Sequence, residues 1–144
     1  MMASRIASIV ELLGLEPAVA ASSLTLACAV EAGLPTAAVQ HLVRALAPED
    51  PDFSSRLVSR STLQRRPKAT GRLTTEEGDR LVRVAKTFSA AIEIYRTPEK
   101  AREFLCRKHP MLGDRRPLDV AIATGLGSDL VVDLLGRLAY GGGV

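Results

Sequence analysis

The segment that begins at Thr74 constrains the fold most strongly, because it carries both a helix start signal and a long apolar stripe. Glu77 follows Thr74 at the spacing of a capping box, in which each side chain binds the backbone amide of the other residue. The apolar residues that follow share one face of a helix: Leu81, Val84, Ala85, Phe88, Ile92 and Tyr95. We therefore predict a long helix whose stripe joins both halves of the chain in one core.

Similar signals predict helices along most of the chain. Apolar residues recur three and four positions apart, and caps, prolines and glycines lie where these patterns start or stop. Residues 18–30 lack a clean period and fit either a helix or a strand. We expect a turn at residues 125–127, with Ser128 or Asp129 as the cap of a last helix. The sequence predicts an all-α fold, and the residues expected to bound its other helices are Ser4, Gly14, Pro35, Pro51, Thr97, Pro98 and Pro117.

Positive charge is concentrated in one part of the chain. The formal net charge is only +3, yet six basic residues and no acidic residue lie between Phe53 and Thr75. Within this basic run, Ser59 can cap a helix and Leu63 can anchor it, while polar side chains remain free to bind phosphates and base edges. A solvated basic face is the alternative interpretation. The predicted DNA-binding residues are Arg60, Ser61, Thr62, Gln64, Arg65, Arg66 and Lys68.

No pattern in the chain predicts catalysis, a cofactor or a metal site. The two histidines, His41 and His109, are far apart, and Gly125-Leu126-Gly127 lacks phosphate-binding spacing. Asp119, Asp129 and Asp133 are better explained as groups near helix starts than as metal ligands. We therefore expect a protein that is not an enzyme.

Cysteine content and hydropathy bear on the compartment. Cys28 and Cys106 lie far apart without partner ligands, so we expect two reduced and mostly buried thiols. The apolar run at residues 18–30 is shorter than the roughly 20 residues that cross a bilayer. We expect a cytoplasmic protein without membrane contact.

Several motifs, in order and spacing, resemble the Xre/MbcA/ParS family of antitoxins. The segments TLQRR at residues 62–66 and RLTTEEGDRL at 72–81 are similar to the central part of that family. PEKA at 98–101, FL at 104–105, PMLG at 110–113, PLD at 117–119 and YG at 140–141 are similar to its C-terminal part. Two departures stand out: Leu57-Val58 replaces a turn that usually carries glycine, and Pro67 is expected to shorten the recognition helix.

The resemblance implies an antitoxin of a type II toxin–antitoxin system. It implies a helix-turn-helix region at residues 1–96, which binds operator DNA and represses the protein's own operon, and a toxin-binding domain at residues 97–144. The implied partner is a RES-domain toxin, similar to ADP-ribosyltransferases, that depletes NAD and whose active site the antitoxin blocks. We expect a homodimer, because operators read by helix-turn-helix units are usually two-fold symmetric.

The C-terminal segment is the predicted plug of the toxin's active site. Glycines carry almost no side chain and suit a narrow cleft, and the Val144 carboxylate could meet a basic residue there. A stand-alone transcriptional regulator whose C-terminal domain only dimerises, or a scaffold without DNA contact, are the alternatives. The predicted toxin-binding residues are Arg115, Arg116, Arg137, Tyr140, Gly141, Gly142, Gly143 and Val144.

Overall fold

A computed structural model describes residues 2–64 and 71–141, and these residues form helices without a strand. Two short 3-10 helices, Pro17–Ala21 and Pro110–Leu112, lie between α-helices. The α-helices of the described residues are α1 (Met2–Leu12), α2 (Ser23–Ala32), α3 (Ala37–Leu46), α4 (Phe53–Leu57), α5 (Arg60–Gln64), α6 (Thr75–Tyr95), α7 (Pro98–Cys106), α8 (Pro117–Ala123) and α9 (Gly125–Ala139). The predicted all-α fold is confirmed.

Helix α6 is the central helix, against which most of the other described helices pack. Its capping box forms as predicted: the Glu77 amide donates to Thr74 Oγ1 at 3.1 Å, and the Thr74 amide donates to Glu77 Oε1 at 2.8 Å. The stripe from Leu81 through Phe88 is buried, and α6 packs against α1, α2, α3 and α4 as well as α7, α8 and α9. The prediction that this stripe joins both halves in one core is therefore confirmed.

The helices α3, α4 and α5 lie on a segment whose two ends are held together. The Leu73 amide donates to the Leu34 carbonyl at 2.7 Å, and the Thr36 amide donates to the Gly71 carbonyl at 3.2 Å. Arg72 adds a hydrogen bond from Nη1 to the Gly33 carbonyl at 3.2 Å. The chain thus leaves and rejoins the core at the same place, which fixes the base of this segment against the start of α6.

Three arginine side chains bind carbonyls at the C-terminal ends of other helices. Arg80 of α6 donates to the Leu57 carbonyl at the end of α4. Arg83 of α6 donates to the Ile122 carbonyl of α8 at 2.9 Å. Arg102 of α7 reaches the Ala45 carbonyl of α3, also at 2.9 Å. Helix C-termini carry unsatisfied carbonyls and partial negative charge, so each contact both satisfies an acceptor and matches the helix dipole.

The C-terminal helices pack on the second half of α6. Helices α8 and α9 form a hairpin joined by Thr124, and the two helices approach closely at Gly127. The buried hydroxyls of Thr87 on α6 and Ser128 on α9 are hydrogen-bonded at 3.2 Å. A Cβ on residue 127 would lie 2.2 Å from the Val120 carbonyl oxygen, so this close approach requires glycine.

Two predicted helix boundaries are wrong. Residues 125–127 are the first turn of α9 and not a loop, because the Thr124 hydroxyl accepts the Gly127 amide at 2.9 Å and caps the helix. Ser128, expected to be the cap, is buried inside the helix. Ser4 likewise lies within α1, which starts at Met2, whereas Gly14 ends that region with a φ of +65° as predicted.

The prediction of mostly buried thiols is also wrong, since Cys28 and Cys106 are both exposed. The ambiguous run at residues 18–30 resolves into a 3-10 helix and α2, in which only Leu26 and Val30 are buried. The apolar residues of α2 occur on every face of the helix, so the sequence did not reveal which face packs inward. None of the helices within residues 2–64 and 71–141 has the length and hydropathy that spanning a membrane requires.

Candidate functional surfaces

The helix-turn-helix unit consists of α4 and α5. Phe53 and Leu57 are fully buried and hold α4 against the core, while the turn passes through Val58, which is also buried. Ser59 then caps α5 as predicted: its Oγ accepts the Thr62 amide at 3.3 Å and is hydrogen-bonded to the Thr62 hydroxyl. A valine at the turn is tolerated because its backbone stays extended, with a φ of −143°.

The structure places part of the predicted DNA-binding set. Ser61 and Gln64 are exposed on α5, and Thr62 is half-buried with its hydroxyl bonded to Ser59. Arg60 is the first residue of α5, but its side chain is not among those described. The predicted residues Arg65, Arg66 and Lys68 lie outside the described residues, as does Pro67.

Helix α3 contributes to the same surface, and sequence reasoning missed this. An open groove of about 530 Å³ runs between α3 and α5. Its walls are Thr36, Ala37, Gln40, His41 and Arg44 on one side and Leu63 and Gln64 on the other. The polar stripe of α3 has helical spacing in the sequence, but only the position of α3 across the groove from α5 shows that it belongs to this surface.

The predicted toxin-binding residues at the end of α9 lie together. Arg137 and Tyr140 line a shallow depression with Asp133 and Gly136, and Tyr140 is 92% exposed. Gly141 follows with a φ of +71°, which glycine adopts without strain. The predicted residues Gly142, Gly143 and Val144 lie outside the described residues.

Arg115 and Arg116 have different surroundings although they are neighbours. Arg115 is exposed, and its carbonyl accepts the His109 amide at 3.1 Å. Arg116 instead forms a two-pronged ion pair with Asp119, at 2.8 and 3.0 Å. Arg56 of α4 pairs with the same carboxylate. Asp119 therefore connects the helix-turn-helix unit to the C-terminal helices, and Arg116 already has an intramolecular partner.

The charges of this cluster affect one another. Burial, followed by the positive charge of Arg116, lowers the pKa of the Arg56 guanidinium. Both arginines are about one-third exposed, so water screens this repulsion in part. The negative charge of Asp50 acts in the opposite direction, and Asp119 is ion-paired with both arginines.

A second open groove lies beside the end of α9. Tyr95, Phe104, His109 and Leu138 form its apolar part, with ring centroids 5.5 Å apart for Tyr95 and Phe104 and 6.1 Å apart for Phe104 and His109. Burial raises the pKa of Tyr95. The polar lining consists of Lys100, Glu103, Arg107 and Lys108. Because Leu138 belongs to the last helix, this groove adjoins the predicted toxin-binding end, and sequence reasoning did not single it out.

Among residues 2–64 and 71–141, no group of His, Cys, Asp or Glu is arranged to hold a metal ion. Of the three aspartates considered in the sequence, Asp119 is occupied by two arginines, while Asp129 and Asp133 are exposed on α9.

Two family models match the chain and define its class as an antitoxin with a helix-turn-helix domain and a toxin-binding domain. The antitoxin Xre-like helix-turn-helix domain matches residues 26–86. The antitoxin Xre/MbcA/ParS C-terminal toxin-binding domain matches residues 90–141. Together they match well over half of the 144 residues, and the chain belongs to the Xre/MbcA/ParS antitoxin family. No curated protein matches the chain.

These matches confirm the resemblance read from the motifs and the presence of the helix-turn-helix domain. Neither domain family is a family of enzymes. The first match ends at residue 86 and the second begins at residue 90, and both positions lie inside the single helix α6. The two domains of this family therefore share one continuous helix here, and the predicted division after residue 96 stays a prediction.

Proposed function

We propose that this antitoxin neutralises a cognate RES-domain toxin by blocking the toxin's active site with its C-terminal segment. The match of residues 90–141 to the toxin-binding domain is the observation that carries this proposal. The RES partner, which depletes NAD, is proposed from the resemblance of the motifs. The exposed end of α9, with Tyr140 projecting into solvent, supports the placement of the contact.

In the proposed mechanism, Tyr140 and the end of α9 bind the toxin as an anchor, and residues 141–144 block its active site as a plug. Residues 141–144 span at most about 14 Å when extended and carry almost no side chain, so they fit a cleft that bulkier residues could not enter. Ordering four residues costs on the order of 4–8 kcal/mol in backbone entropy. The plug therefore cannot supply the affinity, and Tyr140 with the end of α9 must provide it. An exposed tyrosine is suited to this role because it adds a large contact area with few rotatable bonds.

Deletion of residues 141–144 tests the mechanism. The truncated antitoxin, co-expressed with its cognate toxin, should still co-purify with it but should no longer prevent the loss of cellular NAD. Tyr140→Ala in the full chain should instead weaken co-purification. Full protection by the truncated chain would show that the glycine segment does not block the active site.

We further propose that residues 1–96 bind operator DNA and autoregulate the operon, whereas residues 97–144 meet the toxin. Replacing Arg65 and Arg66 by Ala should weaken operator binding, and each lost phosphate contact should reduce the log–log salt slope by about 0.9. The double variant should still protect cells from the toxin. A folded double variant that loses both activities would show that the two functions are not separable.

We also propose that the protein is a homodimer in the cytoplasm. Leu126 and Leu130 lie one turn apart on α9 and are 82% and 45% exposed, which supports α9 as a surface between copies. Light scattering of the purified chain should give twice the monomer mass, and Leu126→Glu should reduce it. A dimer that binds the operator but no toxin would favour the alternative, a stand-alone regulator with a C-terminal dimerisation domain.

A further inference from the structure

The outer face of α3 forms a continuous surface with α5. Gln40, His41 and Arg44 are all exposed and line the groove whose other wall carries Gln64. From Ala37 to Arg44 this face rises by about 10 Å, or roughly three base-pair steps of a duplex. The position of α3 is thus suited to a contact that extends beyond the short recognition helix.

This face is held in place by contacts from three directions. The His41 ring lies against the backbone of Gly14, where an added Cβ would come within 2.4 Å of His41 Cδ2. At the start of α3, the Thr36 amide is bonded to the Gly71 carbonyl. At the end of α3, Arg102 binds the Ala45 carbonyl. A surface held in advance loses little entropy when it binds a partner.

Charge differs between two surface depressions that helix-turn-helix residues line. The sequence has no acidic residue in 32–48 or in 53–75, and the intervening acids are Glu49, Asp50 and Asp52. Glu49 and Asp50 line a different cleft, together with Glu99 and Glu103 of α7, where the carboxylates outnumber Arg102 and Arg116. The described lining of the α3–α5 groove contains Arg44 and no carboxylate. A polyanion is therefore attracted more strongly to the groove than to this cleft.

We propose that α3 is a second DNA-contacting element, in which Arg44 binds a backbone phosphate while Gln40 and His41 donate hydrogen bonds to the same strand. This inference rests on the proposed operator binding. Arginine is suited to the contact because its planar guanidinium presents paired donors to phosphate oxygens. Phosphate contacts set register and carry no sequence information directly, so α3 should strengthen binding to any duplex.

The test compares two matched arginines in the full-length chain. Arg44 and Arg107 are both exposed, and each lies at the C-terminal end of its helix, Arg44 in the last turn of α3 and Arg107 at the C-cap of α7. Arg44→Gln and Arg107→Gln thus make the same change in charge and side-chain length at the end of a helix. Binding is measured at several salt concentrations with a labelled duplex of the promoter region upstream of the gene and with a shuffled duplex of equal composition.

Arg44→Gln should weaken binding to both duplexes by a similar factor and reduce the salt slope by about 0.9, whereas Arg44→Lys should restore most of the slope. Arg107→Gln should bind as the wild type does. Equal slopes for Arg44→Gln and Arg107→Gln overturn the role of α3 and leave the proposed operator binding intact. A wild-type protein that binds neither duplex overturns both.

Discussion

Gly127 allows α8 and α9 to pack closely, and replacing it by alanine should destabilise the protein. The added Cβ would lie 2.2 Å from the Val120 carbonyl oxygen and 3.1 Å from Val120 Cγ1. A carbon and an oxygen in comfortable contact are about 3.3 Å apart. The two helices must therefore separate by about 1 Å, because the obstructing oxygen is a backbone atom and cannot rotate away.

The size of the effect follows from this separation. A gap of 0.5–1 Å forfeits about a quarter to a half of the dispersion energy at the contact, and overpacking of this kind costs about 1–3 kcal/mol. The neighbouring hydrogen bond between Thr87 and Ser128, at 3.2 Å, is weakened by the same movement. Alanine returns up to about 1 kcal/mol through its higher helix propensity. The weakened hydrogen bond offsets this gain, because such a bond contributes about 0.5–1.5 kcal/mol. We expect Gly127→Ala to lower the free energy of unfolding by about 1–3 kcal/mol.

Gly136 supplies the matched control, since it lies in the same helix and no atom lies within 4 Å of an added Cβ. Gly136→Ala should raise the free energy of unfolding by up to about 1 kcal/mol. Both variants are compared with the wild type by urea unfolding followed by circular dichroism, with the m-value as a check that the transition is unchanged. If Gly127→Ala is as stable as the wild type, the helices do not pack as closely as the structure describes.

Three further variants test individual contacts. Asp119→Ala leaves Arg56 and Arg116 facing each other without a shared carboxylate, so it should lower the free energy of unfolding by about 1 kcal/mol at low salt and by less at high salt; a salt-independent loss would contradict the electrostatic reasoning. Thr74→Ala removes one half of the capping box and should cost about 1 kcal/mol in urea unfolding, with faster amide exchange in the first turn of α6. Arg83→Met keeps the side-chain stem but removes the hydrogen bonds to the end of α8, so amide exchange should rise in α8 and stay unchanged in α3.

The features that the sequence predicted correctly depend on neighbouring residues. The capping box at Thr74, the Thr97 cap before Pro98 and the Ser59 cap of α5 all form, because each requires partners only three positions away. The stripe of α6 was predicted for the same reason, since its period is visible within one helix. Several of the motifs that indicated the antitoxin family lie on these same segments, so the class of protein was also readable from the sequence.

The wrong or missing predictions concern partners that are distant in the chain. Glycines at 125 and 127 indicated a turn, yet both lie in α9, and residue 127 is glycine because Val120 of α8 leaves no room for a side chain. No pattern in the sequence indicated that Asp119 pairs with Arg56, which lies on the distant helix α4. The sequence also contained no signal for the groove between α3 and α5, because its walls are more than 15 positions apart.

The sequence by itself determined the helical class, the position of the central helix and the location of the basic run, since these follow from caps, periodicity and composition. Only the tertiary structure decided which arginines are used within the fold. Arg80, Arg83 and Arg102 bind the ends of three other helices, whereas Arg44 and Arg137 remain exposed. All five are equally basic in the sequence. Their roles differ because a guanidinium is held in the fold only where packing brings a carbonyl or carboxylate within hydrogen-bonding distance.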